Sequence, residues 1–180
     1  MDWGDSYRDR VRRSGIAAIA SLALLSLCAA TTLAARPSYS GTLLNSPLLW
    51  ATVDVCRSSA AGDVVGVRGS MPGTGNSGEQ MYMIFRLQYR GPHDKWHYLE
   101  AADSGLLAAG SSQFRSRQAG LDFHLSPGDG TASVVRGIVK FEWRIATRVM
   151  HETKLETTAG HIATAGASPR GFSVAHCAIS

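Results

Sequence analysis

Two cysteines, Cys56 and Cys177, stand near opposite ends of the foldable part of the chain. Outside a reducing compartment such a pair forms a disulfide, and a redox-active dithiol would instead sit close together as C-x-x-C. Two separate buried thiols are the remaining alternative. A Cys56–Cys177 bridge closes a loop of about 120 residues, which in the chain-entropy account contributes on the order of 5 kcal/mol. The run Gly73-Thr74-Gly75-Asn76-Ser77-Gly78 spells G-x-G-x-x-G. That spacing lets backbone amides approach a pyrophosphate, but only where a helix follows at once and offers its N-terminus. Here the residues that follow, Met81 to Arg90, alternate as a strand. The run reads as a connection between two strands, with the length and polarity of a candidate binding loop.

Other chemistry is harder to assemble. All six histidines lie beyond residue 90. His93 and His97 have the i, i+4 spacing of a helical metal pair, yet Gly91-Pro92 argues for a turn, which separates them. His176 beside Cys177 reads as a surface strand residue, since its neighbour is expected to be oxidised. No G-x-S-x-G and no S-x-x-K occurs. Asp103, Asp122, Asp129 and Glu142 are carboxylates that nothing selects as a catalytic pair. No cofactor or metal is implied, and an enzyme is not the expected reading, a small envelope hydrolase being the remote alternative. Trp50, Trp96 and Trp143 with Tyr82, Tyr89 and Tyr98 are mostly spaced as core or cross-strand residues. Trp96 and Tyr98, in an expected hairpin, are the aromatics most suited to exposure and to contact with a sugar.

The compartment is set by Gly15 to Ala35, which carries no charge and follows Arg8, Arg10, Arg12 and Arg13. Basic flank, apolar run and small terminal residues make an export signal or a membrane anchor with its N-terminus in the cytoplasm. Both readings stay open: Leu33-Ala34-Ala35 suits a peptidase, and the uncharged length suits a span. Leu27 before Cys28 does not fit a lipid-attachment motif. Residues 36–47, rich in Pro, Ser, Gly and Asn, form a linker. The rest, 48–180, has the length of one domain. From Arg36 onward 14 basic and 11 acidic residues are scattered singly. This mixed surface is not that of a nucleic-acid binder.

Within that domain the apolar period is near two and turn signals recur, which predicts strands. They are expected at Leu49–Arg57, Val64–Ser70, Met81–Arg90, Lys95–Glu100, Leu121–Ser126, Val134–Ile145, Val149–Thr157 and Phe172–Ile179. Residues 101–120 are the least patterned, a loop with a short edge strand or one turn of helix, and 159–171 form a loop. In Val134–Ile145 one face is apolar through Val135, Val139, Phe141, Trp143 and Ile145, and the other carries Arg136, Lys140, Glu142 and Arg144. The prediction is an all-β fold of seven to eight strands in two antiparallel sheets, preceded by one N-terminal hydrophobic helix, with a closed barrel as rival.

The strand order, with Trp143 on a long late strand, resembles immunoglobulin-like and fibronectin type III-like sandwiches over about Leu49 to Ser180. It departs from the antibody pattern, which pairs cysteines on middle strands. The segments VRGSMPGTG and MYMIFRLQY also resemble those of uncharacterised exported proteins of high-GC bacteria. That resemblance implies no activity. Export and the sandwich together lead to the expectation of an extracytoplasmic binding or structural module of the cell envelope, held to the membrane through residues 15–35 or freely secreted. Its expected partner is an extracytoplasmic protein or glycan, and no nucleic acid.

Overall fold

The computed structural model describes residues 43–59, 62–126 and 133–179. The hydrophobic helix expected over residues 15–35, the first part of the linker and the turn at 127–130 lie outside them. The nine strands are β1 (Trp50–Arg57), β2 (Asp63–Pro72), β3 (Gln80–Arg90), β4 (Trp96–Asp103), β5 (Leu107–Ser111), β6 (Ser116–Leu125), β7 (Ser133–Ile145), β8 (Arg148–Glu156) and β9 (Cys177–Ile179). They form two sheets and do not close into one barrel. The smaller has the order β1-β2-β6; the larger has the order β4-β3-β7-β8, with β5 also on β3 and β9 also on β7. Every strand pairing is antiparallel.

The period-two pattern explains the layering. Val53, Val65, Val67 and Met71 from the smaller sheet meet Met81, Met83, Phe85, Leu87, Val139, Phe141 and Trp143 from the larger, all with no exposed surface, in one core. Trp143 buries its whole ring, and its Nε1 donates to the carbonyl of Pro72 at 2.9 Å. That bond spares the indole an unmet donor in the core. Gly137 on β7 lets the sheets close: a Cβ there would stand 2.6 Å from Val67 Cγ1. β3 is central, with β7 on one edge and β4 and β5 sharing the other. This accounts for the apolar character of Tyr82 and Ile84 on its outer face.

Two elements differ from the sequence expectation, and one decides between its alternatives. The least patterned stretch, 101–120, contains the end of β4, all of β5 and the start of β6. β5 has small side chains and little intrinsic strand preference; it forms because β3 presents a free edge, pairing Met83 with Leu107 and Gln80 with Ser111. Ile145, expected on the dry face, is 40% exposed at the β7–β8 turn. The last strand is shorter than expected. Only Cys177–Ile179 pairs as a strand, on Val135–Ser133 of β7, while Val174 bridges to Val53 of β1.

The reason is the segment 157–176, which runs as an ordered strap over the outer face of the smaller sheet. Its ends are tied by one buried hydroxyl: Thr157 Oγ1 accepts the amide of Gly137 at 3.0 Å and donates to the carbonyl of Ala175 at 2.6 Å. Between them His161 stacks on Trp50 with ring centroids 4.5 Å apart, and Ser173 Oγ meets Thr52 Oγ1 at 2.7 Å. The amide of Ala165 donates to Gln118 Oε1 at 3.2 Å, and that of Ser168 to the carbonyl of Asp54 at 2.9 Å. Asp54 is therefore buried, and Arg68 Nε meets it at 2.6 Å. Burial alone lowers the His161 pKa.

Cys56 on β1 and Cys177 on β9 are joined, Cα–Cα 5.5 Å, across 121 residues of sequence. The bond links one sheet to the other. Cys56→Ala/Cys177→Ala is expected to lose about 3–5 kcal/mol of unfolding free energy from the length of that loop. Urea denaturation followed by tryptophan fluorescence reads it, and an unchanged midpoint would deny the bond this role.

Candidate functional site

With the strap closing the outer face of the smaller sheet, the outer face of the larger sheet is the open one. Its side chains follow from register. Residues facing each other across antiparallel strands share a face, so Ile84–Lys140–Lys154 and Tyr82–Glu142–Glu152 form two rows across β3, β7 and β8. Arg86 lies between Asp103 of β4 and Ile138 of β7.

The charges form a connected ladder. Lys140 Nζ lies 2.8 Å from Glu142 and 2.9 Å from Glu152, and Arg144 Nε donates to Glu142 at 2.7 Å. Glu142 is only 2% exposed, so the face expected to be wet buries a carboxylate in its middle. Its burial raises its pKa, but the hydrogen bonds and charges of Lys140 and Arg144 outweigh this and hold it below the ordinary value. Hydrogen bonds to Glu142 and then Glu152 hold the Lys140 ammonium above its usual range. At the edge of the sheet the amide of Gly105 lowers the Asp103 pKa; burial opposes this, and Arg86 adds to the lowering.

Over this ladder lies a groove of about 430 Å³. Ile84 and Ile138 supply apolar lining, and Arg86, Lys140, Glu152, Lys154 and Tyr98 supply polar groups. Lys154 and Tyr98 reach toward each other across the two central strands, Nζ to hydroxyl 3.5 Å. Among the described residues Lys154 meets no carboxylate. A smaller hollow of about 270 Å³ adjoins the groove, and Arg86 and Tyr98 line both. The arrangement suits recognition of an amphiphilic ligand: an apolar surface, an exposed aromatic ring, donors from a lysine and acceptors from Glu152.

The sequence-selected residues fall in separate places. Tyr98 is 42% exposed and belongs to the groove. Trp96 is half-buried, with Arg136 over its ring at 4.2 Å and His176 stacked on it at 5.3 Å. Cys177 is near this end, paired with Val135, which faces Tyr89 of β3. His97 stacks on Tyr89 at 5.5 Å, and His93 sits in a 3-10 turn, Pro92–Asp94, with φ 61°. The groove residues Arg86, Lys140, Glu152 and Lys154 were not singled out by the sequence. The available signal was Glu152-x-Lys154-x-Glu156, charges at strand spacing that must share one face.

The glycine loop lies at the other end of β3, before Gln80. It is a closed polar knot. Thr74 donates its amide to Ser112 Oγ at 2.8 Å and its hydroxyl to Glu79 Oε2 at 2.5 Å. The amide of Gly75 goes to the carbonyl of Ser112 at 2.9 Å, and that of Gly78 to Asn76 Oδ1 at 2.9 Å. Ser77 is exposed at the tip. These amides serve the chain's own acceptors, and the buried Glu79 carboxylate opposes a phosphate beside them. Gly73 is held between backbones: a Cβ would stand 1.9 Å from the carbonyl oxygen of Phe114.

Two outcomes are expected. Glu142→Gln should cost about 1.5–3 kcal/mol near neutral pH, the range for a lost charge-assisted hydrogen bond. Because the folded pKa of Glu142 is lowered, its contribution is present above its ordinary value of 4.5 and fades as pH falls below it. The gap between wild type and variant, measured by urea titration from pH 7 downward, should therefore narrow below that value; a constant gap would refute the charge assignment. Gly73→Ala should destabilise by more than about 1 kcal/mol, the ordinary glycine-to-alanine scale, because backbone must move. A calorimetric scan reads it, and a neutral result would contradict the close approach.

No family model matches the chain, and no curated protein matches it.

Proposed function

We propose that the chain is an immunoglobulin-like binding module of the cell envelope, exported or tethered to the membrane through residues 15–35. It uses the outer face of the larger sheet to hold an extracytoplasmic protein or glycan. The groove on the open face carries this reading, because it combines an apolar lining, an exposed tyrosine and a lysine that meets no carboxylate among the described residues in one concavity. The strand order supports the fold assignment. β1-β2-β6 corresponds to strands A, B and E of that class, and β4-β3-β7-β8 to C′, C, F and G. The Cys56–Cys177 bond supports an oxidising compartment. Its position, on the first and last strands, differs from that of antibody domains. A freely secreted binder is the variant of this reading in which residues 15–35 are removed.

The test binds the labelled chain to envelope preparations, untreated, protease-digested or periodate-oxidised. Ile84→Ala/Tyr98→Ala is expected to weaken binding by about tenfold or more, equivalent to 1.4 kcal/mol. Loss after digestion identifies a protein partner, and loss after oxidation a glycan. If Thr74→Ala/Asn76→Ala abolishes binding while the groove variant does not, the glycine loop is the site. Fractionation tests location: the full chain in membranes indicates a tether, a product shorter by about 35 residues outside the cell indicates secretion, and a cytoplasmic chain with reduced cysteines overturns the proposal.

A further inference from the structure

The free edge of β8 has a property that the groove does not explain. β8 pairs only with β7, and among the described residues Arg148–Glu156 makes no backbone hydrogen bond on its other side. The other edges are less available. β1 is capped by the strap through Val174 and Ser168. The edge shared by β4 and β5 is interrupted between Asp103 and Leu107. β6 carries Gly120 in its middle, which weakens a strand. A charged edge ordinarily protects a sheet from pairing, unless its charges complement those of a second copy.

We infer that β8 pairs with β8 of a second copy, antiparallel about a two-fold axis at Thr153, to give one continuous sheet across the dimer. Keeping the outer faces of both copies on the same side requires that residues of like parity oppose each other. In the register centred on Thr153, Glu152 faces the partner's Lys154 and Lys154 faces the partner's Glu152. Centring on Glu152 would set that carboxylate against its own copy. Centring on Lys154 would oppose the two lysines and twice set Glu152 against Glu156. Among registers that pair seven or more residues of Arg148–Glu156 the one centred on Thr153 alone is free of directly opposed like charges, which destabilise a cross-strand pair; centring on His151 would set Arg148 against the partner's Lys154. The Thr153 register also supplies a carboxylate to Lys154, the groove cation that meets the Tyr98 hydroxyl and no carboxylate among the described residues. In the dimer it gains Glu152 of the second copy, while each Glu152 keeps Lys140 at 2.9 Å. The charge ladder then runs without a break from one protomer to the next. This inference stands independently of what the groove binds.

The experiment uses the full chain with Cys28→Ser, leaving Cys56 and Cys177 joined to each other. Thr153→Cys lies on the proposed axis and is expected to shift the chain from the monomer to the dimer band on a non-reducing gel after mild oxidation. Arg148→Cys, opposite residue 158 of the second copy, is expected to stay monomeric. Adding Lys154→Glu to Thr153→Cys should abolish the shift, and adding Glu152→Lys/Lys154→Glu should restore it. Failure of Thr153→Cys to cross-link, equal cross-linking of Arg148→Cys, or indifference to the charge reversal each overturns the inference. Resistance of Cys56 and Cys177 to alkylation reports that each variant is folded. Sedimentation equilibrium of the unmodified chain in detergent decides the question without any substitution: a dimer mass is expected, and a monomer mass at every concentration overturns it.

Discussion

The bond between Cys56 and Cys177 is the constraint on which the arrangement of layers rests. Hydrogen bonding fixes strands within a sheet, and nothing in a ladder of backbone bonds fixes one sheet to another. Here β1 belongs to the smaller sheet and β9 to the larger, so the bond crosses between them at the Val135 end of β7. β9 itself is only Cys177–Ile179, too short to hold the end of the chain by pairing alone. The covalent link anchors it, and with it one end of the strap. The other end is anchored at Thr157, whose hydroxyl spans from β7 to Ala175.

This anchoring makes the two outer faces unequal. On the smaller sheet the strap covers Thr52 and Asp54 and stacks His161 on Trp50. Thr52 meets Ser173 there, and Asp54 meets Arg68 through one of its two oxygens. On the larger sheet no strap covers Ile84, Tyr98 and Lys154 among the described residues, Arg86 alone standing over the Tyr98 ring at 5.9 Å, and the charges are satisfied laterally, Lys140 with Glu142 and Glu152, Arg144 with Glu142. A face braced in this way is rigid before any ligand arrives, so little ordering cost falls on binding. The asymmetry of the fold thus decides which face is open to the proposed recognition.

Much of this architecture was legible in the residues. The alternation in Val134–Ile145 identified β7, the strand that buries Phe141 and Trp143, and the turn at Gly91–Asp94 identified the β3–β4 hairpin. The cysteines were recognisable as a pair because of what precedes them in the chain. Legibility ended wherever a segment takes its conformation from a distant partner. β5 is a strand because β3 has an edge to offer, and its Ala, Gly and Ser residues carry no sign of that. The strap looks like any Gly, Ala and Pro loop until Thr52 and Ser173 are seen to meet across 121 residues. The groove was out of reach for the same reason, since Tyr98 and Lys154 come from β4 and β8, on opposite sides of the central pair. Tyr98 alone could be named, from its place in a hairpin.

The strap also bears on the order in which the protein is made. Val53 exchanges both backbone hydrogen bonds with Val174, at 3.0 and 3.1 Å, and so cannot offer them to another chain. Residues Trp50 to Val55 are rich in strand-forming side chains with Asp54 as their one charge, a composition from which intermolecular sheets grow. Their guard lies at position 174 of a chain of 180 residues. During synthesis the first strand emerges early and its protector only after seven further strands, β2 to β8, so the β1 edge stays open while they are made. Closure of that edge waits on residues that pack at the margin of the core rather than within it.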